Sequence, residues 1–130
     1  MINQINVGII GTGWCGGIRA NACADNPLVD KLYIAESNKE RLQELKKSLK
    51  LESSTDNWNE LIDNKNIDTI IISATPETTH FPMALAALKA GKNVFLEKPI
   101  ATSLKEAEEL IEESIKNNVK FTIGYSQRFN

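Results

Sequence analysis

The sequence predicts an α/β fold of the doubly wound kind, a parallel sheet between helices in a three-layer αβα sandwich, as a single domain. Three observations carry that prediction. Apolar stretches alternate between strand-like and helix-like periods from end to end of the 130 residues, the pattern of β-α units joined by short connections. The run Thr69-Ile70-Ile71-Ile72-Ser73-Ala74 is continuously apolar, as a parallel strand buried on both faces requires. No internal repeat, linker or low-complexity tract interrupts the order, and right-handed crossovers then fix the winding.

The elements follow in turn. Residues 5–10 form a short β-branched run that stops at Gly11 and reads as the first strand. A helix follows from about Trp14 and ends before Asn26-Pro27, because proline restricts the residue before it. Leu32 to Ala35 is the second strand. Ser37 stands three residues before Glu40, a capping-box spacing, and Leu42, Leu45 and Leu49 follow at helical intervals. Little is apolar between Leu51 and Thr55, so the third strand is expected to be short and near a sheet edge. Asp56 to Ile62 reads as one or two helical turns, with Trp58, Leu61 and Ile62 inward. After the fourth strand, closed by Pro76, an Ala- and Leu-rich helix runs from about His80 to Ala90, and Gly91 supplies its stop. Asn93 to Leu96 is the fifth strand. Ser103 and Glu106 form a second capping-box pattern, and Leu104, Ala107, Ile111 and Ile115 are expected to line the inward face of the last helix. Val119, Phe121, Ile123 and Tyr125 alternate as the sixth strand.

Composition narrows the function classes. Hydrophobic residues make up 42% and charged ones 25%, with 4 Pro and 7 Gly, which is globular rather than disordered. A formal net charge of -2 gives no basic footprint for nucleic acid. No run approaches the roughly 20 apolar residues that span a bilayer, and Met1 to Gln4 carry neither positive charge nor an apolar block, unlike a signal peptide. Cys15 and Cys23 are too few for a disulfide framework or a metal site, and half-buried free thiols are the plainer expectation. The acidic cluster Glu106, Glu108, Glu109, Glu112 and Glu113 reads as a solvated helix face. A soluble cytoplasmic domain is expected, with no membrane or nucleic-acid partner.

Open α/β sheets bind ligands beyond the carboxyl ends of their strands, at the switch point between strands one and four. After the first strand comes Gly11-Thr12-Gly13-Trp14-Cys15-Gly16, a G-x-G-x-x-G. Its first glycine permits the tight turn and its second lets a pyrophosphate approach the backbone. The third lets the helix pack on the sheet, and free N–H groups at the helix start face the anion. Glycines also cluster in ordinary turns; the strand before this one and the helix after it give the match its weight. Gly17 adds a second small residue at the packing position. Trp14 flanks this loop and Cys15 lies inside it. After the second strand comes Glu36, 20 residues beyond Gly16, where a carboxylate can accept hydrogen bonds from both ribose hydroxyls of an adenosine and would repel a 2′-phosphate. NAD is therefore favoured, while Ser37 and Arg41 lie close enough in sequence to contact a 2′-phosphate, which leaves NADP open. After the fourth strand come Thr75-Pro76 and His80, the only histidine. After the fifth come Glu97, Lys98 and Pro99. A lysine pointing into the crevice can stabilise negative charge on a reacting oxygen, although a solvated lysine is the default for a Lys before a Pro.

Together these residues resemble the N-terminal domain of the Gfo/Idh/MocA oxidoreductases, the family of glucose–fructose oxidoreductase and inositol dehydrogenase. The resemblance runs from Val7-Gly8-Ile9-Ile10-Gly11-Thr12-Gly13-Trp14 through Ala35-Glu36, Asn57-Trp58-Asn59-Glu60-Leu61-Ile62 and Ala74-Thr75-Pro76 with His80. It continues through residues 91–100 (GKNVFLEKPI), its most specific piece, to Gly124-Tyr125 with Arg128-Phe129. It implies a Rossmann-type domain over residues 1–130 that holds a dinucleotide by the Gly11 loop and Glu36, with Thr75, His80 and Glu97 near the nicotinamide half. Lys98 would contact the reacting substrate oxygen, and Pro99 is expected to follow a cis peptide bond. The implied substrates are sugars, cyclic polyols and their derivatives, oxidised or reduced at a secondary carbon. In that family a second α/β domain follows the Arg-Phe segment and holds most substrate contacts, the usual acid–base residue and a sheet used in oligomer contacts. The chain stops at Asn130, so the expectation is a catalytically incomplete domain of a longer, homo-oligomeric enzyme. Two other readings stay open on sequence: a non-catalytic NAD(H)-sensing module, and an S-adenosylmethionine-dependent transferase, in which Glu97-Lys98-Pro99 would have no evident purpose.

Overall fold

Residues 3–125 are described by the computed structural model. Arg128-Phe129, and Met1 and Ile2 of the N-terminal reading, lie outside the described residues. The chain runs β1 (Ile5–Ile10), α1 (Trp14–Asp25), β2 (Val29–Ala35), α2 (Lys39–Ser48), β3 (Ser53–Thr55), α3 (Asn59–Asp63), β4 (Thr69–Ile72), a short 3-10 turn (Glu77–Thr79), α4 (His80–Lys89), β5 (Asn93–Glu97), α5 (Leu104–Lys116) and β6 (Phe121–Gly124). The six strands form one sheet in the order β3-β2-β1-β4-β5-β6, and every neighbouring pair is parallel. The expected three-layer doubly wound architecture is the one found, with β3 at an edge.

Strand alternation divides the core between the two faces. Val7, Ile9, Leu32, Ile34 and Ile71 pack with Ala20 of α1 and Leu42 and Leu45 of α2. Ile10, Tyr33, Ala35, Ile70, Ile72, Val94 and Leu96 pack on the other face with Leu61 and Ile62 of α3, Met83, Ala84 and Leu88 of α4, and Leu110 of α5. Side chains of successive residues point to opposite faces, so β1 and β4 are apolar at nearly every position. The strand order reverses between them, and the loops at their carboxyl ends diverge there. No helix among the described residues is long and apolar enough to cross a membrane.

Two local expectations are corrected. The α2 cap is Asn38, whose side-chain oxygen accepts the Arg41 N–H at 3.1 Å. Glu36 takes the Asn38 N–H at 2.9 Å, and the chain then turns so that Asn38, not Ser37, precedes the first helical residue. Ser103 does cap α5, accepting the Glu106 N–H at 3.2 Å. The larger correction is the face that α5 buries. Leu104, Ile111 and Ile115 are exposed, at 75%, 47% and 74%. Leu110 and Ser114 point inward instead, and the Ser114 hydroxyl is satisfied by donating to the Ile111 carbonyl at 2.7 Å.

This register has a measurable consequence. Leu110, fully buried, should lose about 2–5 kcal/mol of stability on replacement by Ala. Ile115→Ala, at an exposed position, should change stability by no more than about 0.5 kcal/mol. Urea unfolding of both variants checks it, and equal losses would return the helix to the sequence-expected face.

Candidate functional site

The site begins with a steric constraint at the end of β1. Gly11 has φ +86°, and a Cβ there would lie 2.6 Å from the Ala74 Cα, so the turn admits no side chain. Its N–H donates to the Ala35 carbonyl at 2.9 Å. A Cβ on Gly16 would collide with the Gly11 carbonyl oxygen, and its absence lets α1 seat directly against the turn. Gly13 is different: nothing lies within 4 Å of the position a Cβ would take. It is the N-cap of α1, without a side-chain cap, and the first turn of that helix carries no acidic residue. The first N–H groups of a helix lack partners inside it, and here their surroundings suit an anion.

Glu36, the first residue past β2, is fixed by three donors. Its Oε1 accepts the Thr12 N–H at 2.9 Å and the Thr12 hydroxyl at 2.5 Å, and Oε2 accepts the Asn38 N–H at 2.9 Å. Burial raises its pKa. The Thr12 hydroxyl, the two backbone N–H groups and the Arg41 guanidinium together outweigh burial and hold the carboxyl below its ordinary value. Arg41 Nε donates to the Thr12 carbonyl at 2.9 Å, and Nη1 pairs with Glu44 at 3.2 Å. Gly17 lies beneath that guanidinium: a Cβ there would lie 2.6 Å from Arg41 Nη2, the end of a flexible side chain.

Across the switch point, His80 is 3% exposed. Its Nδ1 lies 2.9 Å from the Pro99 carbonyl oxygen and its Nε2 lies 3.1 Å from that of Ala74. It bridges the segments that follow β4 and β5, and each ring nitrogen faces a backbone carbonyl. Thr75-Pro76 and Lys98-Pro99 are both cis; the second is the one that the family resemblance implies. Glu97 Oε2 pairs with Arg19 Nη2 of α1 at 3.3 Å, and the Arg19 guanidinium also lies 4.9 Å from the Phe95 ring centroid. Lys98 beside it is exposed and makes no hydrogen bond or ion pair among the described residues.

These groups surround a cleft of about 1140 Å³ at the carboxyl edge of the sheet. Gly11, Thr12, Gly13, Trp14, Cys15, Glu36, Ser37, Thr75, His80, Glu97 and Lys98 all line it, whereas Pro76 does not. Trp14 is 84% exposed at its lip. Cys15 and Cys23 are free and half-buried; burial pushes the Cys23 thiol up, partly opposed by Arg19. Sequence reasoning missed the Arg19–Glu97 pair, the use of Thr12 as a donor, and the lining residues Ser73, Asp56 and Trp58. Ser73 Oγ is buried there without a partner among the described residues. The one legible hint was Arg19 itself, the single cation in a helix otherwise built mostly of small residues.

The model of the Gfo/Idh/MocA group, described as an oxidoreductase family with an NAD-binding Rossmann fold, matches residues 5–125. Myo-inositol 2-dehydrogenase of Thermotoga maritima is 33% identical over 129 residues, which are 97% of this chain and 37% of that protein. Levoglucosan dehydrogenase of Pseudarthrobacter phenanthrenivorans is 31% identical over 98% of this chain and 34% of its own length. The crystal structure of scyllo-inositol dehydrogenase from Lactobacillus casei with bound NAD(H) and scyllo-inositol superposes with a TM-score of 0.89. Its identity is 28%, covering 98% of this chain and 38% of that one. The chain thus spans well under half the length of the relatives it matches.

The lowered pKa of Glu36 fixes the sign of an acid effect. Its contribution to stability is complete above the ordinary unfolded value of about 4.3 and is lost as pH falls through the lower folded value. Glu36→Gln should therefore flatten the acid limb of stability against pH, measured by urea unfolding between about pH 2 and 6. An unaltered acid limb would contradict the hydrogen-bonded carboxylate.

Proposed function

The chain belongs to the Gfo/Idh/MocA oxidoreductase family, whose NAD-binding Rossmann fold covers residues 5–125, and from that membership we propose the function of the whole protein. It is an NAD-dependent oxidoreductase that moves a hydride to or from a secondary carbon of a sugar, cyclic polyol or derivative. Residues 1–130 are its dinucleotide-binding domain. The substrate contacts and the acid–base partner of Lys98 belong to a further domain, as the partial coverage of the longer relatives suggests. The named substrates of those relatives, myo-inositol, levoglucosan and scyllo-inositol, are cyclic and polyhydroxylated, which supports the same class here.

The observation that carries the proposal is one cleft lined by an open helix start at Gly13, a carboxylate held ionised at Glu36 and an exposed ammonium at Lys98. The open space beside Gly13, into which a Cβ would project, leaves room for a diphosphate against the first N–H groups of α1. Glu36 accepts from the adenosine ribose and disfavours a 2′-phosphate by like charge; Ser37 stands at the same rim. Three of the roughly four lone-pair positions of the Glu36 carboxylate are already taken by Thr12 and Asn38, so one ribose hydroxyl, rather than two, finds a ready acceptor. Thr75, His80 and Glu97 bound the nicotinamide end. His80 acts there through the backbone it holds, and Glu97 through its pair with Arg19. The nicotinamide of NAD(H), when bound, supplies the hydride acceptor or donor. Lys98 donates a hydrogen bond to the reacting substrate oxygen and stabilises the negative charge that develops on it.

Titrating the chain with NADH and NADPH, read by nicotinamide fluorescence, tests the cofactor half. Saturable binding that is tighter for NADH is expected, with the preference narrowed by Glu36→Ala. A folded chain that binds neither dinucleotide would sink the reading. In the full-length enzyme, Lys98→Met should lower kcat by about 10²-fold or more while leaving NADH affinity in place.

A further inference from the structure

Thr12 occupies the variable position between the first two glycines of the phosphate turn, where the motif itself dictates no residue type. It is nevertheless 0% exposed, and each of its polar groups has a partner. Its N–H and hydroxyl both donate to Glu36 Oε1, and its carbonyl accepts from Arg41 Nε. The two opposite charges at this rim of the cleft are thereby tethered to one buried residue. Arg41 forms its ion pair with Glu44 and not with Glu36.

Geometry decides which part of Glu36 remains available. Oε1 is saturated from the buried Thr12 side, while Oε2 takes only the exposed Asn38 N–H. The acceptor position left open is therefore on Oε2. A glutamate at a cleft lip has three side-chain torsions, and the two backbone donors alone, the Thr12 N–H on Oε1 and the Asn38 N–H on Oε2, would leave the carboxylate more room to swing towards Arg41 or solvent. The hydroxyl bond, charge-assisted and at 2.5 Å, removes that freedom.

We infer that Thr12 is the positioning residue for dinucleotide choice: it pins Glu36 Oε1 beneath the turn, presents Oε2 to the adenosine ribose and keeps the carboxylate where a 2′-phosphate would have to sit. Thr12 touches no ligand itself and acts only through Glu36. The inference rests on the proposed NAD reading of the cleft.

Affinities for NADH and NADPH, measured on the full chain and on Thr12→Val and Thr12→Ser, each with Glu36 intact and in a Glu36→Ala background, test it. Val preserves the shape and removes the donor; Ser preserves the donor. With Glu36 intact, Thr12→Val should reduce the NADH-over-NADPH preference on the order of tenfold, the scale of one hydrogen bond to a charged group, and Thr12→Ser should retain it. In the Glu36→Ala background Thr12→Val should change the preference no further, which a merely structural role for Thr12 would not produce. If Thr12→Val loses its far-UV circular dichroism, Thr12→Ala is read in the same cycle. A preference that survives removal of the hydroxyl, or that shifts equally without Glu36, overturns the inference alone. An unaltered chain that binds neither dinucleotide overturns the cofactor reading and this inference with it.

Discussion

The cleft exists because two backbone segments come closer than any side chain permits. Gly11 meets the Ser73–Ala74 backbone, and Gly16 meets the Gly11 carbonyl. That double approach brings α1 down onto the sheet with its start facing the gap between β1 and β4. A Cβ on Gly16 would lift α1 off the turn, and one on Gly11 would push the turn away from Ser73–Ala74; either would displace the helix start and the Thr12 donors. The parallel sheet supplies the second condition. β1 and β4 are buried on both faces by separate apolar clusters, so their carboxyl ends are anchored while the loops beyond them diverge.

On this frame the cleft is held open by bonds that cross between elements. On the β2 side, Thr12 joins Glu36 and Arg41, and Asn38 joins Glu36 to the start of α2. On the β5 side, Arg19 reaches from α1 to Glu97, and His80 reaches from α4 to the carbonyls of Ala74 and Pro99. Most of these bonds sit in part-buried surroundings, where electrostatic interactions are strong and unpartnered groups costly. They place a fixed negative charge at one end of the cleft and leave the Lys98 ammonium unengaged at the other. Such preorganised polar groups let a site discriminate and react without rearranging first.

Much of this is legible in the sequence because it rests on local rules. Continuous apolar runs mark strands buried on both faces, as with Ile70-Ile71-Ile72, and strand-end glycines mark the turn. Spacing points Leu42, Leu45, Leu61 and Ile62 inward, and all four are buried. The misreading of α5 has a physical cause. Leu104, Ala107, Ile111 and Ile115 make a fuller apolar stripe than Ala107, Leu110 and Ser114, yet packing against α4 selects the second. A buried serine satisfied by its own helix carbonyl is invisible to a hydrophobicity count. Partnerships between distant residues are hidden for another reason. Arg19 with Glu97 and Thr12 with Glu36 are separated by 78 and 24 positions, and only the folded sheet brings them together. His80 shows the difference between locating a residue and knowing what it does. Sequence position puts it at the cleft, whereas its two backbone partners emerge only with the fold.

Amide chemical-shift mapping of the isotopically labelled chain during an NADH titration would locate the ligand without presupposing the roles of individual side chains. The largest changes are expected at Gly11 to Cys15, at Glu36 to Asn38 and around Thr75 and Lys98, all on the carboxyl edge of the sheet. Changes confined to the opposite edge, in the small pocket lined by Cys23, Leu49 and Lys50, or an NADH-insensitive spectrum of the folded chain, would contradict a dinucleotide site at the switch point.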